Sequence, residues 1–196
     1  MVYWRSMRDI IVFDIETKET FDDVGGYFPE KLTPSMVGIY SFTHDKLIGF
    51  AEEEFGQLWP YFDNADLIIG FNSDGFDIPI LAKLYAPLRE IQSLDLLTEI
   101  KNSAGHRVKL DSVAEATLGT HKTADGLEAI TMYREGRIDD LRAYCLSDVA
   151  ITRDVYLYGK KNGHILATSF AGPKQIDINF DPAITPRESA PLSLGF

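Results

Sequence analysis

A short apolar run that ends in two carboxylates is the sequence feature that most constrains the fold. Residues 10–13 read Ile-Ile-Val-Phe and pass directly into Asp14, Ile15, Glu16 and Thr17. The run predicts a buried strand whose C-terminal end turns polar. Because alternate side chains of a strand share a face, Asp14 and Glu16 point the same way, and a divalent cation would relieve their repulsion. A strand end with two hydrated carboxylates explains the same pattern.

Apolar periodicity along the chain predicts an alternation of strands and helices. Two further strands, at 36–42 and 46–50, are expected on either side of a turn at His44 and Asp45. The remaining predicted elements are helix 52–62, strand 66–71, a turn at 72–75, helix 77–85, an edge strand at 91–94, a helix capped by Asp95, helices 110–118, 126–134 and 138–158, and a late hairpin of 164–170 and 175–180. This order is typical of an α/β fold with a mixed central β-sheet flanked by helices.

A third acidic position follows the predicted strand at 66–71. Asp77 ends the sequence Asn-Ser-Asp-Gly-Phe-Asp. Functional sites of open α/β sheets form at strand ends, so Asp77 meets Asp14 if the two strands are neighbours. Asp77 as a helix cap is the alternative. We interpret Asp74 as a turn residue, and Asn72 as a residue that holds the turn or, less favoured, contacts a substrate backbone.

The longest predicted helix, 138–158, carries a tyrosine and an aspartate on one face. Tyr144 and Asp148 are four residues apart, which is close to one helical turn. The carboxylate is a potential metal ligand with the phenol beside it. A core tyrosine next to a surface aspartate is the alternative interpretation.

Three segments together resemble the exonuclease motifs of the DEDDy 3′–5′ exonucleases. They are Phe-Asp-Ile-Glu-Thr at 13–17, Asn-Ser-Asp-Gly-Phe-Asp at 72–77 and Tyr-Cys-Leu-Ser-Asp at 144–148. The chain is most similar to the proofreading exonuclease domain of B-family DNA polymerases and to related stand-alone ribonuclease H-like proteins. The resemblance extends to 109–114 and 118–122, and it covers about residues 9–158. The sister subclass has a histidine where this chain has Ala143, so the resemblance is to the tyrosine subclass.

The resemblance implies a ribonuclease H-like fold and a metal-dependent 3′–5′ exonuclease. It assigns the metal ligands to four carboxylates, Asp14, Glu16, Asp77 and Asp148. The implied cofactors are two divalent cations, Mg²⁺ or Mn²⁺, which oxygen ligands favour. Tyr144 is implied as the catalytic residue that orients the attacking water, since a phenol with a usual pKa of about 10 is a poor base at neutral pH.

The expected substrate is single-stranded DNA or RNA with a 3′ end, with DNA favoured. We predict substrate contacts at Thr17, Asn72, Phe76 and Lys122. The net charge of −11 is unusual for a nucleic-acid-binding protein. Residues 101–161, however, have a balance of +1, and the rest of the chain has a balance of −12. Bound cations would also cancel part of the acidic charge.

The single cysteine, Cys145, excludes an internal disulfide. No apolar stretch predicts a signal peptide or a membrane span, so a cytoplasmic location without membrane contact is expected. We expect one domain over 1–170 and a proline-containing C-terminal tail over 171–196. The tail is the segment where docking to a separate helicase or polymerase is predicted.

Two other function classes stay open on the sequence. The first is an RNA-directed or endonucleolytic enzyme with the same site, because the motifs determine which bond is cleaved but not the sugar or the polarity. The second is a non-catalytic nucleic-acid-binding adaptor. The complete set of four carboxylates and a tyrosine argues against the adaptor.

Overall fold

The computed structural model describes residues 8–120, 126–169 and 172–185 of the chain. At its centre is a sheet of five strands, and these are β1 (Asp9–Thr17), β2 (Pro34–Ser41), β3 (Lys46–Ala51), β4 (Ala65–Gly70) and β5 (Gln92–Asp95). The strand order is β3-β2-β1-β4-β5. β1 pairs antiparallel with β2 and parallel with β4, and β5 continues the parallel half. The mixed sheet confirms the predicted α/β, ribonuclease H-like fold.

Six helices and a separate hairpin complete the described chain. They are α1 (Phe55–Asp63), α2 (Asp77–Leu81), α3 (Leu96–Ala104), α4 (Leu110–Leu118), α5 (Gly126–Arg134), α6 (Ile138–Asn162), β6 (His164–Ser169) and β7 (Gly172–Asp177). Short 3₁₀ turns occupy Pro29–Lys31, Glu52–Glu54 and Ala86–Glu90. In the described chain, no helix is both long enough and apolar enough to cross a membrane.

Three predicted helix ends differ from the structure by three or more residues. The helix predicted from residue 52 begins at Phe55, after the 3₁₀ turn Glu52–Glu54. The helix predicted over 77–85 ends at Leu81, and the chain then turns into the 3₁₀ segment Ala86–Glu90. Pro87 in that segment has no backbone N–H, so it cannot continue the α-helical hydrogen bonding. The helix predicted to end at residue 158 continues to Asn162 and stops at Gly163, whose φ of +71° is left-handed backbone that glycine adopts readily.

The side chains of β1 alternate between two apolar layers. Ile11 and Phe13 pack with the layer that includes α1 and α2. Ile10 and Val12 pack with the opposite layer, which includes α4 and α6. Burial on both faces explains why the strand is continuously apolar, as the sequence predicted. The alternation also directs Asp14 and Glu16 toward the side of the sheet that α6 covers.

α6 lies close to the centre of the sheet because β2 has a glycine there. A Cβ atom on Gly38 would lie 2.9 Å from both Cys145 Sγ and Val149 Cγ2, closer than such atoms approach. Gly38 is paired with Asp14 in the neighbouring strand. The missing side chain therefore lets α6 approach the sheet directly over the carboxylate end of β1.

The late hairpin belongs to the packed structure. β6 and β7 pair antiparallel, in place of the predicted strands 164–170 and 175–180. Ile176, Ile178 and Phe180 are buried in the core that includes α6. The packed core thus extends past the expected boundary at residue 170, because β7 and the residues after it supply apolar side chains that cover α6. The end of the expected tail, residues 186–196, lies outside the described residues.

Candidate active site

The C-terminal end of β1 presents two carboxylates on one face of the sheet. Asp14 is partly exposed and Glu16 is buried. An oxygen of each carboxylate and Cys145 Sγ all lie within 4.8 Å of one another. The structure thus brings together the two acids that the alternation of side chains predicted to share a face.

α6 delivers Tyr144 and Asp148 to the same place. Both residues are buried, and the intervening Cys145 contacts the Asp14 carbonyl oxygen through its thiol, with an S···O distance of 3.6 Å. Burial, followed by the negative charges of Asp148, Glu16 and Asp14 and a hydrogen bond to Asp148, raises the pKa of Tyr144 well above its usual value. The phenol therefore faces three carboxylates and stays protonated at neutral pH.

Asp77 approaches β1 from the other layer. It is the first residue of α2, and Phe76 occupies the N-cap position. Its Oδ1 accepts a hydrogen bond at 3.2 Å from the backbone N–H of Ile15, the residue between Asp14 and Glu16 in the sequence. Burial, with a smaller contribution from the charge of Asp95, raises the pKa of Asp77 to about 7. All four predicted carboxylates thus lie around the end of β1.

The predicted substrate-contact residues fall in different surroundings. The Thr17 hydroxyl donates to the Glu19 carbonyl at 3.0 Å. Asn72 has a φ of +68°, which fits the turn role, and its Oδ1 accepts from Arg107 at 2.8 Å. Phe76 is partly buried and packs edge-on against Phe21. Lys122 lies outside the described residues.

A cavity of about 460 Å³ opens beside the carboxylates. Its walls are largely apolar, with the sheet end on one side and the start of α5 on the other. The lining includes Glu16, Thr17, Phe21, Phe76, Leu127 and Ile130. An exposed aromatic, Tyr27, packs against Phe21 with tilted rings, 4.6 Å between ring centroids, and extends this apolar wall to the surface.

Two features of the site were not predicted from the sequence. The first is the contact of the Cys145 thiol with the Asp14 backbone carbonyl. Asp95 does cap α3, as predicted, but its carboxylate also accepts the backbone N–H groups of Asn72 and Asp74. Asp74 itself accepts from the Ser93 hydroxyl, in agreement with a turn residue. An aspartate directly before a helix predicts the cap, whereas the hydrogen bonds from Asn72 and Asp74 depend on β4 lying next to β5.

The comparison with known proteins assigns the family. Residues 11–158, most of the chain, match the family model described as RNase H superfamily. The chain belongs to the RNase H superfamily. Membership supports a nuclease activity in general terms, and divalent metal ions are typical of such enzymes. No curated protein matches this RNase H superfamily chain in sequence.

A solved structure shares the fold of this RNase H superfamily chain. The family B DNA polymerase from the hyperthermophilic archaeon Pyrobaculum calidifontis is similar to it, with a TM-score of 0.56 and 19% sequence identity. The match covers 82% of this chain and 25% of the polymerase chain. The similar unit thus spans about a quarter of that larger protein.

Proposed function

We propose that this chain is a metal-dependent 3′–5′ exonuclease that hydrolyses phosphodiester bonds at the 3′ end of single-stranded nucleic acid, with DNA favoured. The observation that carries the proposal is the meeting of four side chains at the end of β1, those of Asp14, Glu16, Asp148 and Tyr144. Asp77 joins them through its hydrogen bond with the backbone N–H of Ile15. The five residues come from three separated segments and correspond to the full motif set predicted from the sequence.

The donor set at this place fits a hard divalent cation. Asp14, Glu16, Asp77 and Asp148 offer only oxygen atoms, which suit Mg²⁺ or Mn²⁺. Burial raises the pKa of the Cys145 thiol well above its usual value, which favours the neutral thiol over a thiolate ligand. Buried like charges repel one another, and a bound cation compensates them.

Each side chain has a distinct role in the proposal. Asp14, Glu16, Asp77 and Asp148 would hold two cations, which when bound promote deprotonation of water and stabilise the leaving 3′ oxygen. The Tyr144 hydroxyl, kept protonated by its surroundings, would orient the attacking water through a hydrogen bond. Because its proton is retained at neutral pH, Tyr144 positions the nucleophile and does not act as a base.

The cavity and the charge around the site suit the terminus of a single strand. Apolar and aromatic walls beside Glu16 offer stacking for a base, and the volume of about 460 Å³ lies in the usual range for small-ligand sites. Arg107 is exposed beside the turn that precedes Asp77 and is suited to contact a phosphate. The similarity of fold to a family B DNA polymerase also supports a nucleic-acid substrate.

Hydrolysis of end-labelled oligonucleotides tests the proposal. Single-stranded DNA and RNA carrying a 5′ label are incubated with Mg²⁺, Mn²⁺ or EDTA, using the wild type, Asp14→Ala and the control Asp139→Asn. Asp139 is an exposed acid in the first turn of α6. We expect stepwise loss of nucleotides from the 3′ end that depends on metal, persists in Asp139→Asn and falls by at least about 1,000-fold in Asp14→Ala, in line with the loss of several kcal/mol of metal-derived stabilisation.

The same assay separates the remaining function classes. Cleavage of circular single-stranded DNA would identify an endonuclease, since a circle has no 3′ end. Preference for the RNA strand would identify an RNA-directed enzyme. Binding of either strand without cleavage in any metal would identify the adaptor, and full activity of Asp14→Ala would show that the site is misassigned.

A further inference from the structure

Asp95, at the C-terminal end of β5, collects backbone hydrogen bonds from two separate segments. Oδ1 accepts from Leu97 at 2.9 Å, from Thr98 at 3.4 Å and from Asn72 at 2.8 Å. Oδ2 accepts from Asp74 at 3.2 Å. The residue is only 5% exposed, so these backbone groups, rather than water, compensate the carboxylate.

Only half of these bonds are explained by helix capping. Leu97 and Thr98 are in the first turn of α3, where an N-cap aspartate accepts such N–H groups. Asn72 and Asp74 belong to the turn between β4 and α2, more than 20 residues earlier in the chain. That turn contains the left-handed Asn72, a conformation that costs free energy for a residue with a side chain and needs support from its surroundings.

The 72–76 turn also determines where Asp77 lies. The Ser73 carbonyl accepts the N–H of Ile78 at 2.9 Å, which ties the turn to the first residues of α2. Ser73 also packs against Gly70 at the end of β4, where a Cβ would overlap the serine side chain. The connected path therefore runs from Asp95 to the turn, then to the start of α2, and ends at the Asp77 carboxylate against Ile15.

We propose that Asp95 is a positioning residue, which clamps the 72–76 turn so that the Asp77 carboxylate is held at the metal site. The inference rests on the proposed function, because it assigns Asp77 a metal. Asp95 acts through the backbone and does not contact the cation or the substrate. A substitution can remove the hydrogen bonds from the turn to Asp95 and still keep α3 capped, so the inference is testable.

The test replaces Asp95 by serine. A serine is as good an N-cap as an aspartate, so Asp95→Ser keeps α3 capped, but its single short hydroxyl cannot also reach the turn. The matched control is Asp9→Ser. Asp9 is equally buried, at 5% exposed, and accepts the Thr43 N–H and the Ser41 hydroxyl at the opposite end of β1. The full chain is used, with Mn²⁺ binding followed by electron paramagnetic resonance, kinetics on a single-stranded oligonucleotide and thermal unfolding.

We expect Asp95→Ser to weaken Mn²⁺ binding and to lower kcat by about 10- to 100-fold, the range typical of residues that orient metal ligands. KM for the oligonucleotide should change little, and excess Mn²⁺ should restore part of kcat. Asp9→Ser should lower the unfolding temperature without changing Mn²⁺ affinity. Wild-type Mn²⁺ affinity and kcat in Asp95→Ser, or equal losses in the two variants, would overturn the inference.

Two further measurements keep the result interpretable. If Asp95→Ser does not fold, Asp95→Asn takes its place, because asparagine keeps one oxygen for the cap and for Asn72 but presents an amide N–H₂ to Asp74. An intermediate loss of Mn²⁺ affinity is then expected, and no loss overturns the clamp. If the wild type neither binds Mn²⁺ nor cleaves the oligonucleotide, the proposed function is overturned and the clamp with it. If the wild type binds and cleaves, and the Asp95 variant does so equally well, only the clamp is overturned.

Discussion

At the scale of single residues, Tyr144 and Asp77 show how surroundings change side-chain chemistry. Burial and three neighbouring carboxylates raise the pKa of Tyr144, so the phenol is a stable hydrogen-bond donor at neutral pH. Burial also raises the pKa of Asp77, which makes its charged form costly in the absence of a cation. Neither shift follows from residue type, because each depends on burial and on the charges that the folded chain brings close.

Removing the Tyr144 hydroxyl tests its role as a donor. Tyr144→Phe should lower kcat by about 10- to 100-fold, the equivalent of one hydrogen bond to a charged or strongly polarised group, and leave Mn²⁺ affinity nearly unchanged. Steady-state kinetics and metal titration measure the two effects. Tyr158→Phe, on the same helix but outside the predicted motifs, is the control and should retain wild-type kinetics.

The pH dependence gives a second check on Tyr144. Burial raises the pKa of the Tyr144 phenol, which favours its protonated form in the range where activity is assayed. The shape of the pH profile should therefore be the same in the wild type and in Tyr144→Phe. A rise in activity with pH that is present in the wild type and lost in the variant would mean that the phenol titrates and acts as a base.

At the scale of secondary-structure elements, the position of α6 determines the site. The helix brings Tyr144 and Asp148 to β1 because Gly38 leaves room for Cys145 and Val149. At the start of the same helix, the Arg142 guanidinium donates to the Gly49 carbonyl and pairs with Glu54 at 2.7 Å. These contacts join α6 to β2 and β3 and place the carboxylates of two distant segments beside each other.

Adding one methyl group at Gly38 tests this close approach. Gly38→Ala should destabilise the fold by about 1–3 kcal/mol, the usual cost of overpacking, because the new Cβ would be 2.9 Å from Cys145 Sγ and Val149 Cγ2. The displaced α6 should also lower kcat. Chemical denaturation and nuclease kinetics measure the two effects.

Gly56→Ala provides the matched control for this change. Gly56 is in α1, and a Cβ there has no atom within 4 Å. The substitution should stabilise the protein by about 0.5–1 kcal/mol through helix propensity and leave kcat unchanged. Equal effects of the two substitutions would show that α6 does not depend on the small residue at position 38.

At the scale of the whole molecule, the charged form of Asp77 opposes folding when no cation is bound. The folded-state pKa of Asp77 is about 7, against 3.8 in its ordinary environment. When folding raises the pKa of an acid, the folded protein holds the proton more tightly than the unfolded chain does. The resulting stabilisation is fully present below the unfolded pKa and is lost as pH rises through the folded pKa. The metal-free protein should therefore lose stability between about pH 4 and pH 7, and a bound cation should restore it.

Asp77→Asn tests this linkage. In EDTA at pH 8 the variant should be more stable than the wild type by up to a few kcal/mol, since each pKa unit corresponds to about 1.4 kcal/mol. At pH 4 the difference should be much smaller. Mg²⁺ should raise the unfolding temperature of the wild type more than that of the variant. The stability difference between Asp139→Asn, at an exposed position, and the wild type should be the same at pH 4 and pH 8. A less stable Asp77→Asn at pH 8 in EDTA would contradict the account.

The elements and the principal acids were predictable because their signals are local. Alternation in β1, the helical spacing of Tyr144 and Asp148 and the turn before Asp77 are each contained in a few residues. The strand order confirmed the predicted mixed sheet, and the match over residues 11–158 confirmed the ribonuclease H-like superfamily. The assignment of roles to the five site residues stays a prediction until the kinetic tests are made.

The tertiary structure decided the features that depend on which elements are neighbours. The strand order brings Asp95, at the end of β5, beside the turn that follows β4. The packing of α6 on the sheet brings Cys145 against Gly38. The extension of the core to Phe180 likewise depends on what covers α6. Sequence periodicity reports the preferred conformation of adjacent residues, whereas hydrogen bonds and close approaches between distant segments form only once the chain has folded.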